Sequence, residues 1–106
     1  MENVQTVKCI TPEVLNHLIQ NNSALVKLID VRNSEEFSAK HIPGAINIPV
    51  SELESASLSF RKDDLIVTVC NKGGGRSEMT AKKLKEAGFL NAAWLCGGTL
   101  GWFEKK

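Results

Sequence analysis

The sequence has almost no excess of charge of either sign. Lysine and arginine together number 13, against 12 aspartate and glutamate residues, which gives a formal net charge of +1. Dedicated nucleic-acid-binding domains usually carry a strong basic excess, so this class is disfavoured. No hydrophobic run approaches the length of a membrane span, and the first residues lack the basic start and apolar core of a secretion signal. We therefore expect a cytoplasmic protein that binds neither nucleic acid nor membrane.

Cysteine is scarce as well. The three cysteines, Cys9, Cys70 and Cys96, are odd in number, far apart, and never spaced as C-x-x-C. This pattern predicts free thiols in a reducing compartment rather than a disulfide framework or a zinc site. We expect neither a metal nor a cofactor. With 106 residues, of which 42% are hydrophobic, residues 1–106 should form one domain with a single core, and nothing demands more than a monomer.

Apolar segments alternate with segments of helical periodicity. The runs 24–31 and 65–69 read as buried strands, and 7–10, 45–48 and 92–95 as shorter ones. Thr11 and Pro12 suit a helix start, Ser34 and Ser51 are expected to cap two further helices, and 78–87 reads as a helix with Met79 facing inward. This order predicts an α/β domain with a mainly parallel sheet, whose ligands would bind beyond the carboxyl ends of the strands.

The segment after the strand 65–69 carries the clearest chemical signal. Cys70 is followed by Asn71, Lys72, Gly73, Gly74, Gly75, Arg76 and Ser77, and then by helix-forming residues. A strand that breaks into glycines before a helix puts several N–H groups on one loop, and such a loop fits an anion. A cysteine at its mouth, near two cations, ionises more easily, and the thiolate is the reactive form. We predict that Cys70 is a nucleophile and that residues 71–77 bind its substrate.

Two side chains of this loop, Lys72 and Ser77, also have simpler interpretations. Lys72 and Arg76 would attract an anionic substrate, although Lys72 is equally consistent with a solvated loop charge. Ser77 would donate a hydrogen bond to the Cys70 sulfur, cap the helix, or do both. Cys96 is expected to pack as a small apolar residue, with a transient disulfide to Cys70 as the sharper alternative. A basic face is expected to be solvated, or else to dock an acidic carrier protein; it comprises Lys82, Lys83 and Lys85.

Three stretches resemble the single-domain rhodanese family of sulfurtransferases. They are Asp30-Val31-Arg32-x-x-x-Glu36-Phe37-x-x-x-His41-Ile42-Pro43-Gly44-Ala45, the loop from Cys70 to Ser77, and Trp94-Leu95-Cys96-Gly97-Gly98-x-x-x-Trp102. The resemblance implies an α/β fold with a five-stranded, mainly parallel sheet flanked by helices on both faces. It also implies structural roles, through mutual hydrogen bonds near the turn before the third strand, for Asp30, Arg32, Glu36 and His41.

The resemblance further implies an activity and partners. Cys70 would take a sulfane sulfur from thiosulfate or a related persulfide donor, hold it as a persulfide, and pass it to a thiol or cyanide. The expected partners are a small anionic sulfur donor, a thiol acceptor, and a thioredoxin-like or other sulfur-acceptor protein.

Two features depart from the family pattern. Lys40 stands where the family usually has glycine, a surface change of little weight. Cys70 to Arg76 spans seven residues where many single-domain rhodaneses have six, and Val-Cys-x5-Arg-Ser also matches cysteine-dependent phosphatases. A phosphatase or arsenate reductase is therefore an alternative, and a non-catalytic binding module is a third.

The need for a general acid separates the first two of these activities. Phosphatases usually supply one, yet residues 71–75 contain no carboxylate, and Asp63 and Asp64 should lie at the opposite edge of the sheet. Sulfite leaves thiosulfate as a stable anion and needs no such donor, so the absence favours sulfur transfer.

Overall fold

The computed structural model describes residues 7–22, 26–72 and 75–104. Within these residues strands alternate with helices along the whole chain. The elements are β1 (Cys9–Ile10), α1 (Pro12–Asn22), β2 (Val26–Asp30), α2 (Ser34–Ala39), β3 (Ile46–Asn47), α3 (Val50–Ala56) with a 3₁₀ turn (Ser57–Ser59), β4 (Leu65–Val69), α4 (Gly75–Glu86), β5 (Ala93–Leu95) and α5 (Gly98–Glu104). None of these helices is long and apolar enough to cross a membrane.

The strands form one five-stranded sheet in the order β1-β5-β4-β2-β3. Every pair of neighbours is parallel, which confirms the predicted sheet. β4 lies at its centre, and four of its five residues are buried there. It pairs with β2 over its full length, from Leu65 opposite Val26 to Val69 opposite Asp30. The carboxyl ends of β2 and β4 are therefore neighbours, which determines where the site forms.

Helices cover both faces of the sheet, also as predicted. On one face Leu53 of α3 and Leu84 of α4 pack in the same buried cluster as Ile66 of β4. On the other face Leu15 of α1 packs with Val67, the next residue of β4. Side chains of a strand point alternately to its two sides, so β4 supplies both halves of the core.

Several local predictions are wrong. Asn33, not Ser34, caps α2: its Oδ1 accepts from the Glu36 amide at 2.9 Å, and Glu36 Oε1 accepts from the Asn33 amide at 3.1 Å. α3 begins at Val50, ahead of Ser51, and has no side-chain cap. Met79 is exposed, because Ser77, Thr80, Ala81 and Leu84 form the inner face of α4. The predicted strand 24–31 ends one residue early, because β2 runs over Val26–Asp30; residues 24 and 25 lie outside the described ones, so its start stays a prediction.

The prediction of three free thiols is also wrong, because Cys9 and Cys96 form a disulfide with a Cα–Cα distance of 5.0 Å. They are 87 residues apart in sequence, but β1 pairs with β5, and the Cys96 amide donates to the Ile10 carbonyl at 2.8 Å. Disulfides persist in oxidising environments, so the argument from free thiols to a reducing compartment loses its basis.

Candidate active site at the carboxyl edge of the sheet

Cys70 follows β4 directly, and the alternation of that strand directs its side chain toward α4. The preceding residue on the same side of the strand, Thr68, donates from Oγ1 to the Ser77 carbonyl at 2.7 Å. The Cys70 thiol in turn contacts Ser77, with 3.3 Å between Sγ and Oγ and the thiol as donor. Cys70 is 5% exposed. The sulfur is therefore held at the first turn of α4, in a largely buried position.

The contact between Sγ and the Ser77 hydroxyl is the one predicted from sequence, with the direction set by the protonation state. A thiol donates to the hydroxyl, whereas a thiolate can only accept, so the hydroxyl would then donate. The amino terminus of a helix carries partial positive charge, which favours an anion at this position. Ser77 is thus a partner for the sulfur in both forms.

The glycine-rich part of the loop is described only at its end. Gly75 begins α4 with φ +47°, and a Cβ there would meet no heavy atom within 4 Å. A left-handed backbone, rather than lack of space, therefore requires glycine at this position. Gly73 and Gly74, predicted to cradle the substrate with their amides, lie outside the described residues. Lys72 is exposed.

The backbone on the other side of Cys70 is fixed by α5. The Thr99 amide donates to the Cys70 carbonyl at 2.8 Å, and the Leu100 amide donates to the Asn71 carbonyl at 3.0 Å. Gly97 leads into this helix with φ +79°, and a Cβ there would lie 3.1 Å from the Gly101 Cα, so the start of α5 requires glycine at this position. The segment after Cys96 is thus a helix whose amides support the loop.

Asn71, the first loop residue, is held by its side chain rather than left open to a ligand. Its Oδ1 accepts from Arg32 Nη1 at 2.9 Å, and its Nδ2 donates to Glu36 Oε2 at 3.4 Å. Arg32 is buried in a two-point pair with Asp30, with Nε–Oδ1 2.9 Å and Nη2–Oδ2 2.7 Å, and it also donates to the Lys40 carbonyl at 2.7 Å. The expected hydrogen bonds between Asp30 and Arg32 are present.

Glu36 and His41 do not join that pair directly. The His41 Nδ1 lies 2.8 Å from the Phe37 carbonyl, and its ring stacks on the Phe37 ring with centroids 3.8 Å apart. Glu36 instead reaches Asn71 and Arg76 of the loop that follows Cys70, a contact that was not predicted from the sequence. This contact could have been inferred from the sheet. The carboxyl ends of β2 and β4 are neighbours, so the helix after β2, which carries Glu36, lies near the loop after β4.

Arg76 pairs with Glu36 through both of its terminal nitrogens. Nη1 lies 3.1 Å from Oε1, and Nη2 lies 3.4 Å from Oε2. The hydrogen bond from Arg76 is the main cause of a lowered pKa for the Glu36 carboxyl. The same hydrogen bond raises the pKa of Arg76, with a smaller contribution from the nearby Cys70. Glu36 is therefore ionised at neutral pH, and Arg76 has an anionic partner without any substrate.

The remaining candidates lie elsewhere. Asp64 is buried before β4, at the opposite edge of the sheet, where Lys27 Nζ lies 3.6 Å from its Oδ2. Cys96 is bonded to Cys9 and so does not act as a thiol toward Cys70 in this state. Lys82 and Lys83 are exposed and Lys85 is partly so. Within residues 7–22, 26–72 and 75–104, no group of three His, Cys, Asp or Glu side chains could hold a metal ion.

A cysteine between the central strand and the start of a helix, in a parallel α/β sheet, agrees with the rhodanese resemblance of the sequence. The model of the family described as the rhodanese-like domain matches residues 11–105. The chain belongs to the rhodanese-like domain family.

Relatives within this family are named for sulfur chemistry. The chain is 32% identical over 104 residues to the putative sulfur carrier protein YrkF of Bacillus subtilis, covering 98% of this chain and 55% of YrkF. It is 35% identical over 98 residues to the human thiosulfate:glutathione sulfurtransferase, covering 79% of this chain and 84% of that enzyme. The chain thus spans about half the length of YrkF.

A solved structure of a sulfurtransferase has a similar fold. The human single-domain sulfurtransferase TSTD1 superposes with a TM-score of 0.80 at 30% sequence identity, covering 95% of this chain and 99% of that one. Together the relatives support a transferase of the rhodanese-like sulfurtransferase class.

Proposed function

We propose that the protein is a sulfurtransferase that carries sulfane sulfur as a persulfide on Cys70. The observation that carries this proposal is the position of the Cys70 sulfur, 3.3 Å from the Ser77 hydroxyl at the first turn of α4. The site offers the sulfur a hydroxyl partner and the positive end of a helix, which suits an anionic sulfur species.

The reaction runs in two steps of nucleophilic catalysis. The Cys70 thiolate attacks the sulfane sulfur of thiosulfate or of a related persulfide; a new S–S bond forms, the old one breaks, and sulfite or a thiolate leaves with the electron pair. An acceptor thiolate or cyanide then attacks the outer sulfur of the Cys70 persulfide and releases the Cys70 thiolate. Small thiols, cyanide and a thioredoxin-like or other sulfur-acceptor protein are the proposed acceptors. We also propose the cytoplasm as the location; a Cys9–Cys96 disulfide is uncommon there, so the redox state of these two cysteines in cells tests this part of the proposal.

The spacing from Cys70 to Arg76 favours a second candidate, a phosphatase or arsenate reductase. A phosphatase needs a protonated acid near the leaving group. Among the described residues, the carboxylate that contacts the loop is Glu36, and its lowered pKa leaves it ionised at neutral pH. Glu36 is therefore a poor proton donor, which argues for sulfur transfer over phosphomonoester cleavage.

The proposal is tested by incubating the protein with thiosulfate and measuring its intact mass. We expect one added sulfur atom in the wild type, its loss on addition of cyanide, and none in Cys70→Ser. An aryl phosphate and arsenate are assayed in parallel. Phosphate release without sulfur loading would favour the second candidate, and no activity of either kind would favour a binding module.

A further inference from the structure

The guanidinium of Arg76 is occupied before any substrate arrives. The end of its fork faces both carboxylate oxygens of Glu36, at 3.1 and 3.4 Å. Two-point pairs of this kind are the geometry in which arginine recognises carboxylates and phosphates. A tetrahedral oxyanion that needs this end of the fork must therefore displace Glu36.

The side-chain charges around the loop also cancel. Asp30 neutralises Arg32, which contacts Asn71, and Glu36 neutralises Arg76. Lys72 is exposed to solvent, where screening weakens its attraction for an anion. A doubly charged ligand thus finds little net positive charge from these side chains, in contrast to what the sequence suggests for Lys72 and Arg76.

We propose that Glu36 is a specificity-determining residue, which withholds Arg76 from tetrahedral dianions and so favours donors whose sulfur is carried on a thiol. This inference rests on the proposed sulfur transfer and names its preferred substrate class: persulfides are favoured over thiosulfate, and phosphate and arsenate are disfavoured for the same reason. A thiol-borne persulfide presents one terminal sulfur to the site and needs no guanidinium fork.

If Glu36 had a different function, removing its charge would change the affinity for oxyanions in the opposite direction. If Glu36 oriented Arg76 toward a bound oxyanion, removing its charge would weaken oxyanion binding. If Glu36 withholds Arg76, removing its charge strengthens that binding. A purely structural loss would also weaken binding, so a gain in affinity separates the proposal from both.

Glu36→Gln is the main test, with Glu35→Gln as the matched control. Glutamine at position 36 can still accept the Asn33 amide and keep the cap of α2. Glu35 lies in the same first turn and is exposed, so its replacement makes the same change in net charge. Phosphate and arsenate dissociation constants are measured by protection of Cys70 from alkylation by iodoacetamide.

We expect Glu36→Gln to bind phosphate and arsenate about fivefold more tightly, and Glu35→Gln to stay within about twofold of the wild type. In the Glu36→Gln background, Arg76→Met should abolish the gain, because the tighter binding depends on the guanidinium that the first substitution frees. Unchanged or weaker binding in Glu36→Gln would overturn the proposal, as would a gain that persists when Arg76 is also replaced by methionine.

Sulfur transfer supplies the second readout. For Glu36→Gln we expect the thiosulfate KM to fall about fivefold with kcat within about twofold, and the kinetics with a small-thiol persulfide to change by less than about twofold. A rise in the thiosulfate KM would contradict the proposal. If the wild type never takes up sulfur, the proposed function fails, while the phosphate and arsenate constants still decide whether Glu36 withholds Arg76.

Discussion

The two arginines beside the Cys70 loop form ion pairs of contrasting kinds. In the pair of Arg32 with Asp30 the side chains are 4% and 1% exposed, whereas in the pair of Arg76 with Glu36 they are 42% and 29% exposed. A buried charge that loses its partner is costly, while an exposed pair contributes little and can exchange its partner with solvent or a ligand. The first pair is thus suited to fix the loop, and the second to control what binds to it.

Breaking the buried pair should have the largest effect. Arg32→Met leaves the Asp30 carboxylate buried without its cation, and we expect the free energy of unfolding to fall by about 3–5 kcal/mol. The control is Arg61→Met, which removes an exposed pair with Asp63 and should change stability by less than about 1 kcal/mol. Urea denaturation measures both variants. Similar losses in the two would contradict the contrast between buried and exposed pairs.

The Cys9–Cys96 disulfide allows the stabilisation from a covalent cross-link to be compared with that from the buried ion pair. It closes a long loop by joining residues 87 apart in sequence, so the double variant Cys9→Ala with Cys96→Ala should lose about 2–4 kcal/mol. Urea denaturation of the wild type with and without a reductant should show a loss in the same range, and the double variant should not respond to the reductant. Trapping of thiols in intact cells would show which redox state occurs there and test the predicted cytoplasmic location.

Two buried threonine hydroxyls differ in whether they have a hydrogen-bond partner, and we expect smaller differences in stability from their removal. Thr68 Oγ1 donates to the Ser77 carbonyl at 2.7 Å, whereas Thr99 Oγ1 is buried with no hydrogen-bond partner among the described residues. Thr68→Val should therefore cost about 1–2 kcal/mol, and Thr99→Val should be neutral or stabilising. Thermal unfolding compares the two variants. A larger loss for Thr99→Val would show that its hydroxyl has a partner.

The exposed pair should give the smallest effect and a distinct pH dependence. Because the Glu36 pKa is lowered from 4.5, the stability from this pair is fully present above pH 4.5 and is lost as the pH falls through the folded-state value. We expect the wild type to exceed Glu36→Gln in unfolding free energy by less than about 1 kcal/mol at pH 7. This difference should shrink toward pH 3, as measured by urea denaturation. A difference that grew on acidification would contradict the pairing with Arg76.

The sequence allowed the central elements to be predicted because their signals are local. The β-branched run 65–69 is β4 with the same bounds, and Thr11 caps α1 by accepting the Val14 amide at 3.2 Å. The five-stranded parallel sheet followed from the alternation of elements and from the rhodanese resemblance. Cys70 and Ser77 are in contact as the strand–loop–helix pattern suggested.

The missed features depend on contacts between distant segments. The rhodanese resemblance implied for Glu36 only hydrogen bonds within the group of Asp30, Arg32 and His41, so its pairing with Arg76 was not predicted. The disulfide required the order of β1 and β5 in the sheet, which spacing along the chain does not reveal. Two glycines of positive φ, Gly97 and Gly98, lead into α5. Two amides of this helix donate backbone hydrogen bonds to the carbonyls of Cys70 and Asn71, a tertiary effect that helix propensity does not contain.

The two amides of α5 that bond to the carbonyls of Cys70 and Asn71 have a mechanical consequence. They anchor the main chain of Cys70, whose side chain is directed toward Ser77 of α4. If a second sulfur atom is attached to Cys70, these bonds hold the strand end in place, and the added atom is accommodated on the side of α4. Sulfur loading should therefore alter the surroundings of Ser77 while leaving β4 and α5 in place.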